Sequence, residues 1–326
     1  MKSLKVKKDV FPDAGTVLFA DEPCMSRVST RPFFLVFTDL DGTLLDHNTY
    51  GWEAAIPALE LCRVKGVPVI LVSSKTRAEI SILRRRLSIS TPFISENGGG
   101  IFFPKETFKD APPGSVSADG RVPSREPSTG PSPGREKGLW EISLGVPYAR
   151  LIQALGDIRN ELDWHIKGFS DMGMDEISNL TGLDNEAARL AAMREYDEPF
   201  IIRGEEPADL SPLYRAAEKR GLFITSGGRF YHLQGKNDKA QGMKRITAWY
   251  KEHHQEILVI ALGDSPNDFS MLERADFPVL IRSSRTYPDL KKRIPGLTIS
   301  QHTGPRGWNS AVMNILSRNQ ENIHER

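Results

Sequence analysis

The stretch Phe33-Phe34-Leu35-Val36-Phe37-Thr38 most limits what this chain can become. An apolar run of that length, without polar alternation, reads as a strand covered on both faces. Such strands belong to parallel sheets with helices packed on each side. Two carboxylates, Asp39 and Asp41, follow at once. Aspartate is among the side chains least often buried unless paired or metal-bound, so its place at the end of a buried strand calls for a chemical reason.

The same pattern repeats along the chain. Trp52 to Lys65 spaces its apolar residues for one helix face, Gly66 ends it, and Val67 to Val72 is a second buried strand. Thr76 to Leu87 reads as a helix, and Phe93-Ile94 as a short strand before the turn-like Glu96-Asn97-Gly98-Gly99-Gly100. Lys239 to His253 is a helix, Ile257 to Leu262 a strand, Phe269 to Arg274 a helix, and Phe277 to Ile281 a strand that closes the sheet. In such α/β sheets, ligands bind at the carboxyl ends of the strands.

Between these halves the reading changes. Residues 104–138 are rich in Pro, Ser, Gly and charge and too poor in apolar side chains to pack, which predicts a mobile loop. After it come a strand at Trp140 to Ser143, helices at Tyr148 to Leu162 and Asn185 to Arg194, and strands at Pro199 to Ile202 and Arg229 to Leu233. The expected organisation is therefore a poorly ordered extension at 1–31, a core domain from 32–103 and 234–318, an inserted α+β unit at 104–233, and a tail at 319–326.

Composition excludes several classes of function. With 43 basic and 42 acidic side chains, the net charge of +1 offers no general attraction to nucleic acid or an anionic membrane. No stretch of about 18 apolar residues is present to span a bilayer. Cys24 and Cys62 stand far apart without a Cys/His cluster, which argues against a disulfide framework or structural zinc and fits a reducing cytoplasm.

Three strand ends carry polar residues: Asp39, Ser73 and Gly263-Asp264. In a parallel sheet these lie on one edge. Each alone is equally consistent with a helix cap or a turn; together they mark a site. Asp39-Leu40-Asp41-Gly42-Thr43, Ser73, Lys239 in Asn237-Asp238-Lys239-Ala240, and Gly263-Asp264-Ser265-Pro266-Asn267-Asp268 resemble, in order, the motifs of the haloacid dehalogenase (HAD) superfamily of phosphohydrolases. Ser74 and Lys236 compete for the second and third places; the strand end favours Ser73, and the helix start favours Lys239.

That resemblance implies a Rossmannoid core with an inserted α+β cap and a phosphomonoesterase that works through an aspartyl-phosphate. It implies Asp39 as nucleophile, Asp41 as general acid and base, Ser73 and Lys239 at the transferring phosphoryl, and Mg²⁺ on Asp39, the Asp41 carbonyl and Asp264, supported by Asn267 and Asp268. The expected partner is a small phosphorylated sugar, and neither nucleic acid nor membrane.

The inserted unit resembles the cap of the Cof-type branch. Ser73 to Thr76, Glu96 to Gly100, Phe169 to Met172, Leu180 to Leu183, Glu195 to Phe200 and Gly228 to Leu233 resemble the mannosyl-3-phosphoglycerate phosphatase family. This implies hydrolysis of 2-O-mannosyl-3-phosphoglycerate to mannosylglycerate, a compatible solute. A substrate with phosphate, carboxylate and hydroxyls suggests contacts from Lys75, Glu96, Asn97, Gly98, Gly99, Asp197, Glu198, Arg229 and His232. A Cof-type phosphatase of other specificity, a phosphomannomutase-like enzyme and a non-catalytic metabolite sensor are the alternatives; intact Asp39, Asp41, Lys239 and Asp264 argue against the sensor.

Overall fold

The apolar run at Phe33–Thr38 forms strand β1, which in the computed structural model lies inside a nine-stranded sheet. The structure describes residues 32–119, 138–204, 207–227 and 229–324. The further strands are β2 (Val69–Val72), β3 (Phe93–Ser95), β4 (Gly100–Pro104), β5 (Val116–Ser117), β6 (Leu139–Ser143), β7 (Ile166–Gly168), β8 (Asp197–Ile202), β9 (Phe223–Gly227), β10 (Phe230–Gln234), β11 (Ile257–Gly263), β12 (Phe277–Arg282) and β13 (Thr298–Thr303). The helices are α1 (Ile56–Val64), α2 (Arg77–Arg86), α3 (Tyr148–Leu162), α4 (Met174–Thr181), α5 (Asn185–Ala191), α6 (Ser211–Glu218), α7 (Lys239–Lys251), α8 (Phe269–Leu272), α9 (Leu290–Arg293) and α10 (Gly304–His324).

The large sheet has the order β13-β12-β11-β1-β2-β3-β4-β6-β5. Strands β13 to β3 in that order run parallel, and β4, β6 and β5 continue it antiparallel. Register sets the site: Thr38 is level with Leu262 on β11 and with Leu71 on β2, so the chain leaves all three strands on one edge, at Asp39, Gly263 and Ser73.

Burial on both faces explains the unbroken apolar run of β1. Val36 packs on one side with Leu40, Leu44, Trp308, Val312 and Leu316, whereas Leu35 and Phe37 pack on the other with Met243, Ile246 and Tyr250. Helices α1 and α10 thus cover one face and α7 the other. Trp308 is fully buried, and its indole N–H donates to the Thr38 hydroxyl at 3.0 Å. That hydroxyl donates onward to the Asp39 carbonyl at 2.7 Å, fixing the backbone at the strand end.

The sheet differs from the sequence reading at both edges. It does not close at Phe277–Arg282: β13 pairs beyond it, a strand too polar for the periodicity to reveal. The tail expected from 319 belongs to α10, which runs to His324. The segment Gly99-Gly100 read as a turn leads into β4, and the strand assigned to the start of the insertion is β6, hydrogen-bonded to β4 in the large sheet. Residues 104–119 also pack there: Phe108 sits edge-on to Phe103 and Trp249, and Lys105 lies over Trp140 while pairing with Asp119 at 2.7 Å. The expected extension at 1–31 and the middle of the loop, 120–137, lie outside the described residues.

A second sheet, β7-β8-β10-β9, is antiparallel throughout. Strand alternation divides its faces. Phe200 and Leu233 pack under α3 and α6, and Ile201 and Phe230 pack toward the cluster of α4 and α5. Helix α5 and the turn after it meet the larger sheet's helix α2 through Leu190 and Met193 against Ala78, and the Thr76 hydroxyl donates to the Leu190 carbonyl at 2.9 Å.

Trp308→Ala removes the largest fully buried side chain and the anchor of Thr38. We expect about 3–5 kcal/mol of destabilisation in a denaturant titration; a loss below about 1 kcal/mol would contradict this packing.

Candidate active site

Three carboxylates and one ammonium meet where the parallel strands end. Lys239 is the first residue of α7, positioned by its N-cap Asp238, whose side chain accepts from Gln241 N–H. Its fully buried Nζ lies 2.5 Å from Asp39 Oδ1 and 2.6 Å from Asp268 Oδ1. The other Asp268 oxygen accepts from the Asp264 and Ser265 N–H groups at 3.0 Å each and from the Ser265 hydroxyl at 3.1 Å. Asp268 is therefore committed to holding the loop after β11.

The electrostatics follow from burial. Asp39 is pushed up to about 8, by loss of water first and by Asp268 second, against the lowering effect of Lys239. Asp264 is pushed up to about 6 by burial, then by Asp268. Burial opposes the charge on Lys239, but Asp268 and Asp39 more than offset it and its pKa rises.

Ligand oxygens of Asp39, Asp264 and Asp268 lie within 4.8 Å of one another. An all-oxygen set with more negative charge than one lysine neutralises fits a hard divalent cation. Gly42 keeps the approach open: at φ +79°, a Cβ there would stand 2.7 Å from Asp264 Oδ2.

Asp41 stands at the mouth of this cluster, with Oδ2 2.8 Å from Lys75 Nζ, which lies 3.9 Å from Glu79. Ser73 follows β2 and is almost fully buried. Its N–H donates to Ile94 and its carbonyl accepts from Asn97 N–H, both at 3.0 Å. Asp39, Asp41, Ser73, Lys75, Asp264, Asn267 and Asp268 thus sit on the strand-end edge or the loops that leave it, and Lys239 reaches the same edge from the start of α7.

The loop at Glu96 to Gly99, expected to meet substrate, is turned toward protein. Glu96 is fully buried, and its carboxylate accepts from Glu195 N–H at 3.1 Å and Tyr196 N–H at 2.8 Å. The Asn97 side-chain oxygen accepts from Asn267 at 3.2 Å, and the carbonyls of Glu96 and Asn97 accept from Asn237. Gly98 and Gly99 lie so close to the Asp238 backbone and the Tyr196 side chain that added Cβ atoms would stand at 2.2 and 2.4 Å. The Tyr196 hydroxyl ends on Glu141 and Ser143. This loop is a joint between the two sheets, and its glycines answer to packing.

The remaining expected contacts separate by strand face. Asp197 is buried, with Oδ2 bonded to His232 Nδ1 at 2.8 Å and to Arg194 at 3.0 Å. Arg194 also donates to the Ser74 carbonyl at 2.9 Å, which brings this cluster against the loop after β2. Glu198 points to the opposite face and accepts from the Ser170 N–H and hydroxyl at 2.9 and 2.6 Å. Arg229 is exposed and donates to the Leu180 carbonyl at 3.0 Å, closing the end of α4. One Glu198 oxygen and one Arg229 nitrogen are thus engaged within the smaller sheet's unit.

Arg194, Tyr196 and Asn237 were not among the expected site residues, although Tyr196 and Asn237 lie inside the motifs that carry the resemblance. A cation among acids at Arg194 to Glu198, on the way into a strand, was the available signal for the first.

Burial, with Glu195 and Asp197 nearby and Arg194 opposing, raises Glu96 from 4.5 to about 8. The fold favours its protonated form, so that contribution is complete below the unfolded pKa and is lost as pH rises from about 4.5 toward 8. Glu96→Gln mimics the protonated acid. Its thermal midpoint relative to wild type should therefore increase between pH 5 and pH 9; a difference that stays constant would contradict a buried, raised carboxyl.

A family model for haloacid dehalogenase-like hydrolases matches residues 36–112 and 213–295. The chain is 38% identical over 290 residues, 87% of its own length and 98% of the relative's, to a glucosyl-3-phosphoglycerate/mannosyl-3-phosphoglycerate phosphatase from Methanococcoides burtonii. A relative of the same name from Persephonella marina is 38% identical, with 87% and 97% covered. A crystal structure of a Thermoplasma acidophilum protein superposes with a TM-score of 0.58 at 19% identity, covering 89% of this chain and 99% of that one, which is a likeness of fold.

Proposed function

The chain belongs to the haloacid dehalogenase-like hydrolase family, and we propose that it dephosphorylates 2-O-mannosyl-3-phosphoglycerate, and the glucosyl analogue, to the glycosylglycerate and phosphate. The observation that carries this reading is the buried Asp39–Lys239–Asp268 arrangement with Asp41 beside it. The names of the two relatives, which span most of the chain, support the substrate class.

In this reading one Asp39 oxygen attacks phosphorus while the bond to the leaving oxygen breaks. Asp41 delivers a proton to that oxygen, and the resulting carboxylate then takes a proton from the water that hydrolyses the aspartyl-phosphate. Ser73 donates to a phosphoryl oxygen, and Lys239 balances charge. Mg²⁺ would be held by Asp39, the Asp41 carbonyl and Asp264, with Asp268 and Asn267 as support, and would supply charge neutralisation for phosphoryl oxygens. Lys75 would meet the substrate carboxylate, leaving Asp41 to do so, and His232 on Asp197 would meet hydroxyls. The smaller sheet and its helices would act as a cap that excludes water. Glu96 to Gly99, Glu198 and Arg229 we assign to support, because protein groups engage the Glu96 carboxylate, one Glu198 oxygen and one Arg229 nitrogen.

Among the described residues no helix is long and apolar enough to cross a membrane. We propose a cytoplasmic enzyme acting on a small molecule.

Phosphate release with Mg²⁺ should be far faster, as kcat/KM, for mannosyl- or glucosyl-3-phosphoglycerate than for 3-phosphoglycerate or mannose 6-phosphate. Preference for a simple sugar phosphate would overturn the substrate assignment and leave the family standing. Asp39→Asn should lower kcat at least about a thousandfold with the thermal midpoint retained, and excess chelator should stop turnover. Substantial activity in either case would remove that element from the mechanism.

A further inference from the structure

The loop between the first catalytic segment and α1 carries an aromatic ring that no packing demand explains. Tyr50 is 47% exposed, and it adopts φ +56°, a conformation that is strained for a bulky side chain. Its loop is nevertheless fixed. Asp46 accepts from Asn48 N–H at 3.0 Å and Thr49 N–H at 2.9 Å through its side chain, Tyr50 N–H donates to the Asp46 carbonyl, and Asp46 N–H donates to Gly51, each at 2.9 Å. Glycine or asparagine would satisfy that backbone more easily.

The position of the ring gives the strain a use. Lys75 Nζ lies 5.5 Å from its centroid and 2.8 Å from Asp41 Oδ2. A single ammonium thus spans the ring and the carboxylate that would protonate the leaving group, and cation–π attraction holds the ring's orientation. In the phosphatase reading the ring is therefore one side chain away from the acid that would protonate the leaving oxygen.

We propose that Tyr50 is a specificity residue, a platform on which the carbon–hydrogen face of a sugar in the leaving group stacks while Lys75 takes that group's anionic end. The inference rests on the phosphatase reading above. It accounts for an aromatic side chain kept in water at a strained φ, since a pyranose covers the ring without demanding a buried hydrogen-bond partner.

Two variants test it, assayed on mannosyl-3-phosphoglycerate and on acetyl phosphate, which has no sugar. Tyr50→Gly should lower kcat/KM on the mannosyl compound by about tenfold or more. On acetyl phosphate it should stay within about twofold. Because glycine suits φ +56°, its thermal midpoint should equal or exceed that of wild type. Tyr50→Phe, which keeps the ring, should retain most of the activity on both compounds. Equal losses on both compounds, no loss on either, or a Tyr50→Phe loss as large as that of Tyr50→Gly would overturn the platform. Wild-type enzyme that cleaves acetyl phosphate but neither glycosyl compound would instead overturn the substrate assignment, and the same ratio on the best sugar phosphate then decides for or against Tyr50.

Discussion

The Lys239 ammonium, fully buried between Asp39 and Asp268, is the interaction on which the rest of the site depends. Three charges removed from water are costly unless they neutralise one another and their remaining hydrogen bonds are filled. Here the surroundings fill them. Asp268 uses its second oxygen on the loop after β11, Asp238 caps the helix that Lys239 starts, and Trp308 and Thr38 fix the carbonyl side of Asp39. Removing the lysine would leave two carboxylates facing each other without water. Burial first and the neighbouring Asp268 second raise Asp39 and Asp264, so the carboxylates that one lysine leaves unbalanced would favour a cation, which in turn would offset the charge of a phosphoryl group.

A second set of contacts joins this centre to the smaller sheet. The Glu96-Asn97 backbone meets Ser73, Lys75 and Asn237, and the Asn97 side chain meets Asn267, so one short loop touches the segments after β2, before α7 and after β11. Its carboxylate holds the chain at Glu195 and Tyr196, and Arg194 bridges Ser74 to Asp197 and so to His232. The Arg194–Asp197–His232 cluster and the loops that follow β2 and β11 therefore share a joint. This accounts for a Gly-rich segment whose backbone is packed rather than free.

Much of this was legible in the sequence because strong physical rules apply there. A strand buried on both faces must be apolar, so Asp39, Ser73 and Asp264 stand out at the ends of β1, β2 and β11, and the start of α7 singles out Lys239. The edges were illegible for the complementary reason. β13 is an edge strand with mostly exposed side chains, and β4 follows glycines that imitate a turn. The protein partners of Glu96, Glu198 and Arg229 were illegible because a charged side chain looks the same whether its partner is a substrate or a distant backbone group. Only tertiary contacts, such as Glu96 with Tyr196 a hundred residues away, separate the two.

In the proposed mechanism Asp39 becomes covalently phosphorylated. Asp41→Asn should stall the intermediate when p-nitrophenyl phosphate, whose leaving group needs no proton, is the substrate. Borohydride reduction of the quenched protein followed by peptide mass analysis would read the site. We expect a burst of nitrophenol and conversion of Asp39, and no other carboxylate, to homoserine. A burst or steady turnover with Asp39 unmodified would contradict it.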